Sequence, residues 1–237
     1  ASFRINPSDM KNYTDAEKKI DIGNIFSVNR LGLNDTLESG KSLTLGLNYS
    51  KEKKNLNDIN KYFELKLATV FREKEQNNIP KRTTINRKTS NLFGSIKNNF
   101  NDNFSLGYDF ALDNDYNKFE YNNFNATFSV NNFVTKFNFI EESGEIGGSN
   151  ILENNLSYKL NENNFLTFDT RRNRKLNLTE YYNLVYEYKN DCLTAGVKYK
   201  KSYYEDRDLK PTEDLLFTIT LYPLSSFEQD ATGIIEN

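Results

Sequence analysis

The sequence predicts an all-β chain, laid out as an antiparallel up-and-down sheet of the transmembrane barrel kind. Three observations carry this: apolar side chains recur with period two, the repeating segments run to about ten residues, and their connections alternate between tight and long. A helix would repeat near 3.6, and soluble strands more often stop near five or six residues. Phe and Tyr, at 18 and 15 of the 237 residues, supply an unusual share of the apolar surface, which suits strands over helices.

Alternation with period two dominates from Lys41 onward and is nearly strict in several segments. The first strand sets Leu43, Leu45, Leu47 and Tyr49 on one face against Thr44, Gly46 and Asn48 on the other. The second sets Phe63, Leu65, Leu67 and Phe71 against Glu64, Lys66 and Arg72. A weaker strand with a mixed face follows at 92–100. The pattern then returns as Phe104, Leu106, Tyr108, Phe110 and Leu112 against Ser105, Gly107 and Asp109. Further apolar rows run from Phe124 to Val130, Phe133 to Phe139, Leu152 to Leu160, Leu166 to Phe168, Tyr182 to Tyr188, Leu193 to Tyr199 and Leu215 to Leu221. That makes roughly eleven strands, each about as long as a tilted membrane-crossing strand requires.

The connections sort into two kinds. Tight ones rich in Asn and Asp fall at 99–103, 130–133, 160–164 and 189–192, with longer polar ones between them at 73–90, 113–118, 141–150, 173–180 and 202–214. Short turns at one rim and long loops at the other is the layout of an up-and-down barrel, and a Greek-key sandwich has no reason to keep that rhythm. One connection, 51–60, is longer than its place predicts. Residues 8–20 are polar with weak helical potential, and IFSVNRLGL at 25–33 reads as the end of a strand leading into a loop at 34–40. Sequence alone does not say which face is outside, so a soluble β-structure with an apolar interior stays open as the alternative.

Composition narrows the chemistry. The chain has no His and a single Cys, which removes the usual general base, the commonest zinc ligand and any internal disulfide, so no enzyme, metal site or cofactor is expected. With 31 basic and 33 acidic residues there is no global field to attract nucleic acid. The glycines of ESGEIGGSN are a flexible loop, because no helix follows to present a phosphate site. The opening ASFRINPSDMKNYTD has neither a basic start nor an apolar stretch, so no leader is expected there and the chain reads as a fragment or a processed piece.

Two stretches carry a resemblance. YYEDRDLKPTEDLLFTITLYPLSSF, at 203–227, resembles the C-terminal end of the LptD (organic solvent tolerance) family of lipopolysaccharide-assembly proteins, where an RDLKP-type loop precedes the last barrel strand. NIFSVNRLGLNDTLESGKSLTLGLNYS, at 24–50, resembles the family's NRF-GYDR region, with Leu31 where an aromatic is usual and Asn34 and Asp35 in place of the Tyr-Asp-Arg run. The resemblance implies the C-terminal half of a barrel of about 26 strands in the bacterial outer membrane. It divides the chain into a polar segment with a strand end and an extracellular loop at 1–40, barrel strands at 41–227 and a tail at 228–237. The implied function is a translocon: with a plugging LptE-type lipoprotein it takes lipopolysaccharide from the periplasmic bridge proteins and inserts it into the outer leaflet.

The resemblance also implies roles for particular residues. Cys192, directly after the tight turn KND, matches the place where family cysteines pair with cysteines of the N-terminal periplasmic region. Such a long-range disulfide is worth about 4 to 5 kcal/mol on chain-entropy grounds. Without the resemblance, Cys192 reads as an incidental thiol. Asp206, Arg207, Asp208 and Lys210 are expected to pair with one another in an extracellular loop, with Pro211 stiffening the approach to the next strand, against the alternative of solvated charge. Leu215, Phe217, Ile219 and Leu221 are expected to form the gate strand at a lateral seam, trimmed by Pro223. Arg171, Arg172 and Arg174 form a positive run that could meet lipopolysaccharide phosphates or simply be hydrated. A porin-like channel and a soluble β-rich binding module are the competing functions, separated by conductance and by extraction without detergent.

Overall fold

The apolar rows at 43–49 and 63–71 lie opposite one another in the sheet, and those at 182–188, 193–199 and 215–221 do the same. The structure, a computed structural model, describes residues 1–55, 58–203, 211–222 and 225–234. Among these residues there are thirteen strands: β1 (Ser2–Asn6), β2 (Gly40–Asn55), β3 (Asp58–Arg72), β4 (Leu92–Asn101), β5 (Phe104–Leu112), β6 (Phe119–Val130), β7 (Phe133–Glu142), β8 (Asn150–Lys159), β9 (Asn164–Asn173), β10 (Leu178–Lys189), β11 (Leu193–Ser202), β12 (Thr212–Leu221) and β13 (Ser225–Asp230). They stand in the sheet in chain order, antiparallel and up-and-down, as in a portion of a β-barrel. Among the described residues no helix is long and apolar enough to cross a membrane.

The chain forms two compact units. The first holds Ala1–Asn101, Ser105–Phe124 and Ile140–Ser149. Within it Leu43 faces Phe71, Leu47 faces Leu67 and Tyr49 faces Leu65, while Thr44 faces Val70 and Gly46 faces Ala68 on the opposite side. The register therefore sorts the two faces cleanly. Their burial is the reverse of a soluble sheet: Leu45 is 43% exposed, whereas its neighbour Thr44 is 0% exposed. Ser42, Thr44, Ala68, Val70 and Arg72 are buried, and the buried core of Met10, Ile20, Ile25, Leu31, Leu33, Ile79 and Ile85 lies with them on the polar face.

The second unit holds Asp102–Phe104, Asn125–Phe139 and Asn150–Asn237. One apolar row crosses five strands through Leu156, Phe168, Leu184, Tyr199 and Leu215, each directly opposite the next. A parallel row runs through Tyr158, Leu166, Tyr186, Val197 and Phe217. Phe168 stacks on Tyr182 with ring centroids 6.1 Å apart. On the other face Asp169 accepts hydrogen bonds from both Asn155 and Asn183. Apolar members of the first face, Tyr186, Phe217 and Ile219 among them, are exposed.

The structure differs from the sequence reading at four places. There are thirteen strands where the pattern counts eleven, because β1 and β13 are only 5 and 6 residues long and too short to display a period. Residues 51–55 and 58–60 are not a loop: β2 and β3 run on as a ladder to the pair Asn55 and Asp58, with one register shift between Lys51 and Glu52. The charged run KEKKN hides this extension, since both faces are polar there. Residues 25–33 do not end a strand but form turns, and their apolar side chains Ile25, Leu31 and Leu33 are buried. Finally, β12 is not the last strand and 228–230 are not tail, because β13 pairs along β12 from Leu221 opposite Ser225 to Leu216 opposite Asp230.

Candidate functional site

The polar face of the first unit is covered by its own chain. Residues 7–39, between β1 and β2, and 73–91, between β3 and β4, fold over it as a strap. Both are rich in polar residues, yet Ile25, Ile79 and Ile85 give each an apolar underside that is fully buried. The two segments are tied by backbone hydrogen bonds, Tyr13 N–H to the Asn78 carbonyl at 2.9 Å and Lys81 N–H to the Thr14 carbonyl at 3.0 Å. Side chains add to this, Asn78 donating to the Met10 carbonyl at 3.1 Å and Thr14 to the Asn77 carbonyl at 2.6 Å. Gly40, where the strap enters β2, has φ of 84°, and a Cβ there would lie 2.8 Å from the Gln76 amide.

Beneath the strap sits a charged cluster. Glu38 accepts from Arg30 Nε at 2.6 Å and also pairs with Arg30 Nη2 and with Arg72 Nη2 from β3. All three side chains are out of solvent. Arg30 further donates to Thr44 Oγ1 at 2.9 Å and to Ser42 Oγ at 3.2 Å, and Arg72 donates to the Ser39 carbonyl at 3.0 Å and to the Ile85 carbonyl. Small polar residues on β2 thus have a purpose: their hydroxyls receive a buried guanidinium that burial alone would penalise. Arg4 on β1 reaches the Val28 carbonyl at 2.8 Å and the Ser27 carbonyl, and Lys19 reaches Glu142. Sequence pattern misses this cluster, because the isolated Arg72 on a polar face is its only signal.

At the surface of the strap Asp35 accepts from Lys11 Nζ and from the Tyr13 hydroxyl, each at 2.6 Å. Those two hydrogen bonds, Lys11's first, hold the Asp35 carboxyl below the usual aspartate range. The same bonds to Asp35 raise the Lys11 ammonium and the Tyr13 phenol above their ordinary values.

The residues picked out from sequence are spread over the second unit. Cys192 is an exposed free thiol in the β10–β11 turn. The Asn190 side chain fixes that turn by accepting the N–H groups of Cys192 at 3.0 Å and Leu193 at 2.8 Å, and Tyr222 N–H donates to the Cys192 carbonyl at 2.9 Å. Arg171 is held between Glu153 at 3.3 Å and Glu180 at 2.7 Å. Arg172 donates to Asn177 at 2.7 Å, and the Arg174 guanidinium lies 5.6 Å from the centroid of the Phe139 ring. Leu215, Phe217, Ile219 and Leu221 line one face of β12, opposite Tyr199, Val197, Ala195 and Leu193. Pro211 is exposed immediately before β12. Asp206, Arg207, Asp208, Lys210 and Pro223 lie outside the described residues.

An up-and-down antiparallel sheet with its apolar face exposed, and with a strap over the polar face of its first unit, defines the class: a portion of a β-barrel. The model of the family described as LptD, LPS transport system D, matches residues 2–150, more than half of the 237 residues, and the chain belongs to that family. A search of curated proteins returned no match. At the level of the family the role is lipopolysaccharide transport, and the family is one of transport and assembly proteins.

Proposed function

We propose that this chain is part of an outer-membrane translocon that inserts lipopolysaccharide into the outer leaflet through a lateral seam in its barrel, and that it catalyses no reaction. The observation that carries the reading is the inversion of faces in a chain of this family: exposed Leu45 beside fully buried Thr44 suits hydrocarbon outside and a polar passage inside. In this reading the tight-turn rim is periplasmic and the long-loop rim extracellular. The partners are an LptE-type lipoprotein that plugs the passage and the periplasmic bridge proteins that deliver the glycolipid.

Individual residues take roles within that reading. Cys192 pairs with a cysteine outside this sequence, and its exposure at a tight turn leaves the thiol accessible for that bond. The β12–β13 hairpin forms one side of the seam, with Leu215, Phe217, Ile219 and Leu221 toward lipid, and Pro223, which has no N–H to donate, trims pairing just beyond β12. Asp206, Arg207, Asp208, Lys210 and Pro211 order the extracellular loop ahead of it. Arg172 and Arg174 contact lipopolysaccharide phosphates more readily than Arg171, which two carboxylates already hold.

The test is depletion of the native protein in cells, with complementation by this sequence in its full-length context. Restored surface lipopolysaccharide and restored exclusion of large antibiotics support the reading. Depletion that leaves both unchanged contradicts it.

A further inference from the structure

Under the strap of the first unit lies a cavity of about 350 Å³, near the small end of ligand sites, bounded above by residues 20–23 and below by β3 to β6. Its walls divide by chemistry. Phe93 and Tyr121 supply flat apolar surface, Lys66 and Lys97 supply cations, and Asp109 and Asn123 supply hydrogen-bonding groups. Lys66 stands opposite Ser95, and Lys97 two residues farther on stands opposite Glu64. The two lysines are therefore diagonal neighbours on one face, about 7–8 Å apart at the backbone. Lys66 is paired with Glu64 at 2.8 Å, whereas Lys97 is exposed and has no ion-pair partner among the described residues.

Glu64 already takes Lys66, but Asp21 does not take Lys97. Asp21 turns its carboxylate back to cap Gly23 N–H at 2.7 Å and Asn24 N–H at 3.0 Å. Asn123 donates a long 3.4 Å bond to Asp109, and its Oδ1 is out of solvent with no donor. A buried acceptor without a donor calls for one.

We infer that this cavity is a subsite for one phosphorylated sugar unit of the transported glycolipid, the phosphate on Lys97 and Lys66, the ring against Phe93 and Tyr121, and the hydroxyls on Asp109 and Asn123. The inference rests on the lipopolysaccharide reading and names a place on the route. A purely apolar ligand would leave Lys97 without a partner, and a bare anion would leave the aromatic wall and the amide unused.

The experiment is calorimetric titration of the full-length protein in detergent micelles with glucose 6-phosphate, and separately with glucose and with inorganic phosphate. Glucose 6-phosphate is expected to bind at least tenfold more tightly than either part. Lys97→Gln is expected to weaken it at least fivefold, and Ser95→Phe, which fills the cavity, to abolish it, with heat-modifiable gel migration confirming that each variant folds. No binding, equal affinity for phosphate alone, or affinity untouched by both variants overturns the inference. The same variants in the cell assay keep the two readings apart: a subsite that fails while full-length complementation still restores surface lipopolysaccharide removes this inference and leaves the transport function standing.

Discussion

Glu38, at the end of the strap, takes the guanidinium of Arg72 from β3 with both side chains out of solvent. A carboxylate so placed is shared, because Arg30 holds it from within the strap. The cluster fastens a polar segment to a polar sheet face where neither would bury well alone. Buried ion pairs are costly to form and costlier to break, since the remaining charge is stranded.

Glu38→Gln is accordingly expected to destabilise the folded protein by about 3–5 kcal/mol, because two buried guanidinium groups lose their counter-ion. Replacing Glu38, Arg30 and Arg72 together by Met removes the charge and the partner at once, and is expected to recover most of that loss. Urea unfolding in micelles measures both. A single variant no less stable than the parent would show that the cluster contributes nothing.

Gly46 on β2 leaves room for a strap residue. A Cβ there would lie 2.6 Å from Cζ of Phe26. Gly46→Val therefore forces the ring away, at about 1–3 kcal/mol of overpacking. The expected signature is faster protease cleavage within 7–39, largely reversed when Phe26→Ala is added. Cleavage unchanged in Gly46→Val would mean that the strap does not rest on β2.

The Lys11, Tyr13 and Asp35 group sets a pH window for the surface of the strap. Asp35 is depressed, so its contribution is present above its unfolded value near 3.9 and is lost as pH falls through the lower folded value. Lys11 and Tyr13 are raised, so theirs is present below about pH 10 and is lost as pH rises through their folded values. The group is exposed, and its effect on overall stability is small. Carbon-13 NMR titration of the Asp35 carboxyl should give a midpoint below the ordinary aspartate value, moving back toward it in Lys11→Met. A midpoint at the ordinary value contradicts the contact.

Cys192 is expected to be blocked toward maleimide in protein taken from oxidising cells and to react after reduction, since the proposed bond engages it. Full labelling before reduction would leave it the incidental thiol that composition alone suggests.

Much of the sheet was legible in the sequence because period two is a local property: Leu43 to Tyr49 and Leu215 to Leu221 need only their own neighbours to declare a face. The strap was not. Ile25, Leu31 and Leu33 are spaced neither as a strand nor as a helix, and their burial depends on packing over a sheet that is distant in sequence. Nor could Arg30, Glu38 and Arg72 be joined in advance, since Glu38 and Arg72 are 34 residues apart and meet only through the β2–β3 register. Cys192 falls at the β10–β11 turn because KND is local turn chemistry, whereas the disulfide proposed for it has no signal in that local pattern.

The central claim is that the apolar face meets hydrocarbon. Nitroxide labels placed singly at residues 42 to 48 of β2, in full-length protein reconstituted into bilayers, report it through collision with dissolved oxygen, which concentrates in lipid. The account predicts high oxygen accessibility at Leu43, Leu45 and Leu47 and low accessibility at Ser42, Thr44, Gly46 and Asn48. Uniform values, or the opposite alternation, would contradict it.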